Sequence, residues 1–211
     1  MKLFDGVQPK LARWMLRQPM FLVATAPLAA DGHVNVSPKG MAGTFAVFDP
    51  YHVGYLDYFG SGAETIAHLR ENGRITLMFT AFSGRPAVVR VYGQGRVVPV
   101  DDPEFAELRD RFAKKRTVGQ RSIILVDVER VQESCGYAVP LMDFVADREV
   151  HDLHQLKKGT REYEGRGHLK NPASIDGLPA IDPPPSAHPR VGISGTSGPV
   201  GLTARRPPAS R

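Results

Sequence analysis

Cysteine is nearly absent from this 211-residue chain, since Cys135 is the only one. A single cysteine excludes an internal disulfide framework and any metal site built from several cysteines. No segment is long and apolar enough to span a bilayer, and the first residues, MKLFDGVQPK, lack the apolar core of a secretory signal. We therefore expect a cytoplasmic protein with no membrane partner, in which Cys135 is a small buried side chain.

Conventional catalytic motifs are absent as well. The sequence has no G-x-S-x-G elbow, no Walker loop and no H-E-x-x-H pair. His151 and His154 lie three residues apart on a helix predicted over Asp147–Lys158, but the sequence offers no third metal ligand. We interpret both as surface histidines and predict no metal site.

Acidic residues are missing from the end of the chain. The net charge is +5, and four arginines with no acidic residue follow position 182, so residues 1–182 are almost neutral. Residues 183–211 are rich in Pro, Gly and Ser and predict a disordered tail, whereas residues 1–182 predict one globular domain. The neutral body gives no reason to expect a nucleic-acid partner, although a binding module acting through the basic tail is one alternative.

The apolar pattern of the body is that of a β protein. It predicts six or seven short strands in hairpin order, with two helices between them, as in an antiparallel barrel. One predicted helix spans Gly60–Asn72, with Ser61 and Glu64 as a capping box, and another follows the cap Asp102. The predicted strands are Phe21–Ala26, His33–Ser37, Thr44–Phe48, Val53–Tyr58, Arg74–Phe82, Ala87–Val98 (bent at its glycines) and Arg121–Val131.

A few residues suit an anionic, planar ligand. Lys39 ends the strand NVSPKG beside Gly40, where the backbone can approach a ligand closely. Ser61 and Gly62 open a predicted helix, whose free N–H groups attract phosphate, and Arg90 lies among apolar neighbours. Each also has a structural interpretation, namely an edge lysine, an ordinary cap and a paired arginine. Together they favour a phosphate-bearing cofactor.

Three stretches in the same order resemble a known family. NVSPKG, then YLDYFGSGAETIAHLRENGRITLMF, then the R-x-x-G strand that begins at Arg90, are similar to the pyridoxamine 5′-phosphate oxidase-like, FMN-binding split-barrel family. The resemblance covers roughly Pro19 to Pro140, and the segments SCGYAVPLMDF and SIDGLP resemble a bacterial subgroup of that family.

The resemblance implies a six-stranded split β-barrel that forms a homodimer and binds flavin at the subunit interface. It implies that Lys39 and the backbone around it lie along the flavin, with Pro38 ending the ladder so that Lys39 can point at the cofactor. It also implies that the junction Tyr55–Thr65 holds the ribityl and phosphate groups. The cofactor-binding residues expected on these grounds are Ser37, Lys39, Gly40, Tyr55, Asp57, Ser61, Gly62, Thr65 and Arg90.

The chain departs from true pyridoxamine phosphate oxidases at two places. Their first strand begins with an arginine where this chain has about Val34, and their Ser-Arg-Lys phosphate grip is replaced by Ala63-Glu64-Thr65. We therefore expect an FMN-dependent oxidoreductase with a small redox substrate that the sequence does not identify, and not the pyridoxal phosphate-forming enzyme. A deazaflavin-dependent reductase and a non-catalytic flavin or haem binder are the alternatives.

Overall fold

The computed structural model describes residues 1–60, 62–157 and 171–181. The predicted tail, residues 183–211, and the boundary drawn at residue 182 lie outside these residues. Residues 150–157 are helical, close to the helix predicted there. The other elements are β1 (Lys2–Phe4), α1 (Pro9–Met15), β2 (Met20–Thr25), β3 (Asn35–Gly40), β4 (Phe45–Asp49), β5 (His52–Tyr58), α2 (Glu64–Asn72), β6 (Arg74–Thr80), β7 (Val88–Pro99), α3 (Pro103–Arg109) and β8 (Gln120–Ser134).

The strands form one curled antiparallel sheet. Seven of them follow the order β3-β2-β6-β7-β8-β5-β4, and β1 pairs with β8 off this path. The mainly β, split-barrel fold is confirmed, but the part of the chain that the structure describes has eight strands instead of six. The sequence did not reveal β1, because three residues are too few to show an alternating apolar pattern. Its partner β8 is also remote in sequence, with Phe4 opposite Val131.

Aromatic side chains fill the inside of the curl. The ring centroid of Phe79 lies 5.1 Å from that of Phe21 and 4.9 Å from that of Phe45. Phe21 also meets the ring of Tyr55 edge-on, at 5.6 Å. These rings come from β2 and β6, near one end of the strand order, and from β4 and β5, at the other end. They can pack together only because the sheet curls.

Pro38 does not end its strand, which corrects the expectation for NVSPKG. β3 continues to Gly40, and Pro38 stands opposite Leu22 of β2. β3 is an edge strand, so no strand on its outer side needs the backbone N–H that Pro38 lacks.

Helix α2 begins later than predicted. Its first residue is Glu64 and its N-cap is Ala63, which makes no side-chain capping bond. The Glu64 Oε2 atom instead accepts the Ala63 N–H at 2.9 Å, and Ser61 lies outside the described residues. The predicted end of this helix at Asn72 is confirmed, because the next residue, Gly73, adopts the left-handed conformation that closes the helix.

Other local predictions have mixed outcomes. The long strand shifts register between Tyr92 and Gly93, as its glycines predicted, and the Asp102 carboxylate accepts the Glu104 N–H at the start of α3. Cys135 is exposed, contrary to expectation, because it follows the last residue of β8. Among the described residues, no helix is long and apolar enough to cross a membrane.

Candidate functional site

A polar cavity of about 260 Å³ opens between β3, β5 and the start of α2. In the strand order β3 and β5 are separated by four other strands, and the curl of the sheet brings them together. We call this cavity the polar pocket. Its lining residues are Ser37, Pro38, Lys39, Gly40, Met41, Leu56, Asp57, Tyr58, Gly60, Gly62, Ala63, Glu64, Thr65, Arg121 and His151.

Asp57 is the buried centre of the polar pocket. Its side chain is 3% exposed and bonds two cations. Lys39 Nζ lies 3.0 Å from Oδ1, while Nε and Nη2 of Arg121 lie 2.8 Å and 2.6 Å from Oδ2. Each carboxylate oxygen of Asp57 therefore has a cationic donor.

The two cations keep Asp57 ionised. Burial alone would raise the pKa of the Asp57 carboxyl, but the charges and hydrogen bonds of Lys39 and Arg121 outweigh it and hold the pKa below its ordinary value. Burial, followed by the charge of Asp57, raises the pKa of the neighbouring Tyr55 phenol well above its ordinary value. Lys39 Nζ also lies 5.6 Å from the Tyr55 ring centroid. At neutral pH the pocket thus contains an ionised aspartate, and the neutral Tyr55 phenol is buried beneath the pocket.

The charges that line the polar pocket balance. Lys39 and Arg121 oppose the carboxylates of Asp57 and Glu64. The Glu64 carboxylate stands at the N-terminus of α2 and accepts the Ala63 N–H, so it competes with any anion for that end of the helix. The pocket therefore favours a polar, uncharged group over a doubly charged one.

A hydrogen-bond network fixes the floor of the polar pocket. The Ser37 hydroxyl donates to Asn35 Oδ1 at 3.0 Å, and the Asn35 amide donates to the hydroxyls of Thr25 and Thr65, at 3.2 Å and 3.1 Å. Thr25 Oγ1 in turn lies 3.0 Å from Nδ1 of the buried His68, whose pKa is lowered by burial. The network joins β2, β3 and α2, so the hydroxyls of Ser37 and Thr65 are held in place.

His151 closes one side of the polar pocket. Its ring meets the Tyr58 ring edge-on, with centroids 4.9 Å apart. The Gln155 amide nitrogen donates to Phe59 O at 2.9 Å and lies 3.1 Å from His151 Nε2. Nε2 is then an acceptor and the proton of the neutral ring is on Nδ1. Burial lowers the pKa of His151, so the ring is neutral at neutral pH. His151 is therefore a surface histidine only in part, because its side chain is 36% exposed but lines the polar pocket, whereas His154 is exposed as expected.

The structure gathers most of the residues that the sequence proposed. Tyr55 is buried below Lys39 and does not line the polar pocket. Arg90 lies elsewhere on β7, where Nη1 donates to Ser134 Oγ at 3.3 Å, and Ser61 is outside the described residues. The proposed residues that do line the pocket are Ser37, Lys39, Gly40, Asp57, Gly62 and Thr65.

Sequence reasoning missed Arg121 and His151, whereas the carboxylate that it placed at the start of α2, Glu64, does line the pocket. Arg121 had a signal, because it is a cation at the start of the otherwise apolar run RSIILV. The sequence does not indicate which residue Arg121 pairs with, because its partner, Asp57, lies 64 positions earlier in the chain. His151 had none, since its place depends on how the segment after β8 returns to the sheet.

Comparisons with known proteins agree with this fold. Residues 7–135 match the protein family described as pyridoxamine 5′-phosphate oxidase. The pyridoxamine 5′-phosphate oxidase family protein ustO of Aspergillus flavus is 40% identical over 192 residues, which cover 84% of this chain and 77% of that protein.

A solved structure shares the fold at low sequence identity. A variant of HupZ from Group A Streptococcus has a TM-score of 0.50 at 19% identity, covering 61% of this chain and 99% of that one. An FMN-binding protein of Syntrophomonas wolfei has a TM-score of 0.44 at 14% identity, covering 58% and 82%. The sequence matches, which span well over half of the chain, decide the assignment: the chain belongs to the pyridoxamine 5′-phosphate oxidase family.

Proposed function

We propose that this protein is a flavin-dependent oxidoreductase that binds FMN with its polar pocket and acts on a small redox substrate. The observation that carries the proposal is the pocket itself, in which Lys39, Arg121 and two fixed hydroxyls converge on one cavity. Membership of the pyridoxamine 5′-phosphate oxidase family supports a flavin over other cofactors.

The residues of the polar pocket fit the uncharged, polar part of a flavin. Ring carbonyls and ribityl hydroxyls accept hydrogen bonds, and Lys39, Arg121 and Thr65 are donors that line the cavity. The Ser37 hydroxyl gives its proton to Asn35, so it can accept a hydrogen bond from a ribityl hydroxyl. The carboxylates of Asp57 and Glu64 cancel the two cations, so the pocket suits the phosphate end of FMN less well. We infer that the phosphate lies toward the edge of the pocket.

The protein's part in the reaction is binding and orientation. A bound flavin supplies the hydride or electron transfer, which accounts for the absence of a conventional catalytic motif. The Asp57 ion pairs hold Lys39 and Arg121 in fixed positions, and the hydroxyl network holds Ser37 and Thr65. These side chains need no rearrangement when the cofactor binds, and this lowers the entropic cost of binding.

We also propose a homodimer, as the resemblance to the split-barrel family implies. The support in this chain is its exposed apolar surface at one sheet edge, where Val34 and Val36 are 69% and 59% exposed. An apolar edge strand is usually covered by another chain or protected by charges. Light scattering at micromolar concentration should give twice the chain mass, and a monomer would contradict this proposal.

FMN titration tests the proposed function. The absorption spectrum of the purified protein should have flavin bands, and FMN should bind the apo-protein with a defined stoichiometry. Lys39→Met should weaken FMN binding roughly tenfold to a hundredfold, since a charged hydrogen bond contributes about 1.5–3 kcal/mol.

The matched control is Arg90→Met, which removes a cation that lies outside the polar pocket. It should leave FMN affinity unchanged, with circular dichroism verifying the fold of both variants. Equal affinities for Lys39→Met and the wild type would refute the site, and tighter binding of a deazaflavin would replace FMN as the cofactor.

A further inference from the structure

A second cavity, of about 480 Å³, adjoins the polar pocket. This size is within the range of pockets that hold small organic ligands. Its wall is largely apolar, and we call it the apolar chamber. The apolar side chains that line it include Pro19, Met20, Met41, Phe82, Met142 and Phe144.

The segment after β8, residues 141–148, builds the outer wall of the apolar chamber. The Met142 N–H donates to Phe82 O at 2.9 Å, and Asp147 Oδ2 accepts the Ala42 N–H at 2.9 Å. Every residue from Met142 to Arg148 except Val145 lines the chamber, and the outer residues Leu141 and Val145 are 82% and 93% exposed. Met142 and Phe144 are themselves 57% and 62% exposed, so the chamber is open to solvent along this wall.

The two cavities are adjacent and share part of their lining. Gly40, Met41 and His151 line both of them. His151 is neutral at neutral pH, so the junction carries no charge. The titratable groups near His151 are Asp152, Lys114 and His154. A ligand in the chamber would lie next to the group held in the polar pocket.

The lining chemistry selects an uncharged apolar ligand. Three of the six methionines of the chain line the apolar chamber, and methionine adapts to apolar groups of different shape. The charged lining residues are Asp143, Asp147 and Arg148, an excess of negative charge that disfavours anions.

We propose that the apolar chamber is the substrate site and takes an uncharged, largely apolar organic molecule. The substrate role rests on the proposed function, because a substrate in the chamber would react with a flavin held in the polar pocket. Binding of an apolar molecule does not depend on the flavin, because protein side chains alone form the walls of the chamber.

Two fluorescent probes that differ by one charge test the chamber. Phenylnaphthylamine is uncharged and apolar, and anilinonaphthalene sulfonate is the same framework with a sulfonate. The full chain is titrated with each probe, first as apo-protein and then saturated with FMN. We expect the uncharged probe to bind at one site per chain at least about tenfold more tightly than the sulfonate.

Neighbouring substitutions provide matched controls. Met142→Glu places a carboxylate in the apolar chamber and should weaken binding of the uncharged probe at least about tenfold, whereas Leu141→Glu should leave it unchanged. Ala146→Trp fills the chamber without adding charge and should also weaken binding, while Val145→Trp should not.

The outcomes separate this inference from the proposed function. FMN binding without saturable binding of the uncharged probe overturns the chamber alone, and probe binding without any FMN binding overturns the flavin proposal alone. Equal effects of Met142→Glu and Leu141→Glu, accompanied by a change in oligomeric state, would identify the segment as an interface between two copies and overturn the inference.

Discussion

Arg121→Met removes both hydrogen bonds that Asp57 Oδ2 receives from the guanidinium group. The Asp57 side chain is 3% exposed and would keep Lys39 as its only cation, with the Ser122 hydroxyl at 3.5 Å, so its charge would be buried and incompletely paired. Breaking a buried ion pair by removing one partner costs about 3–5 kcal/mol. Because Lys39 stays, we expect a loss of about 3 kcal/mol in the free energy of unfolding.

Urea unfolding at pH 7 and one fixed protein concentration measures this loss. With a slope of about 2 kcal/mol per molar urea, the midpoint should fall by roughly 1.5 M. Lys39→Met should cost less, about 1.5 kcal/mol, because Lys39 contributes one hydrogen bond and is 26% exposed. The double variant Arg121→Met, Asp57→Asn should be more stable than the sum of its single changes predicts, by about 1–3 kcal/mol.

The pH dependence of stability gives an independent readout. The pKa of Asp57 is lower in the folded protein than its ordinary value, so its stabilising contribution is complete above the pKa of the unfolded chain. It is lost as the pH falls from about 5 through the folded pKa. Asp57→Asn should therefore reduce the slope of stability against pH between about pH 5 and 3.

Asp152 and Asp176, whose pKa values are also lowered, remain in the variant, so part of the slope stays. Two results would refute the reasoning. One is an identical acid slope for Asp57→Asn and the wild type, and the other is strict additivity in the double variant.

Three further changes test other parts of the structure. Glu64→Gln removes a carboxylate from the polar pocket and should tighten FMN binding, most clearly at low salt where screening is weak; an unchanged affinity would mean that the phosphate lies far from the start of α2. Deleting residues 183–211 should change neither the melting temperature nor FMN content, because that segment has few large apolar side chains to bury, and a clear fall in either would show that it packs on the body. Asp102→Ala removes the cap of α3 and should cost about 1 kcal/mol of stability in urea unfolding, with Asp101→Ala as the uncapped control; equal costs would contradict the capping role.

Local patterns in the sequence were sufficient for β2 to β8, the cap of α3 and the bend of β7. Each of these depends on residues within a few positions of one another, such as Asp102 beside Pro103 or the glycines of the long strand. Lys39 could be proposed for the same reason, because a cation after a proline at a strand end is unusual within its own segment.

The tertiary structure alone decided what those residues do. Lys39 meets Asp57 only because the sheet curls until β3 faces β5, and Arg121 completes the group from 64 positions further along the chain. His151 reaches the polar pocket because the segment after β8 folds back over Met41 and Phe82. Periodicity reports which side of an element is buried but not which remote side chain it meets, so the charge balance of the pocket and the chamber beside it arise from packing between distant segments.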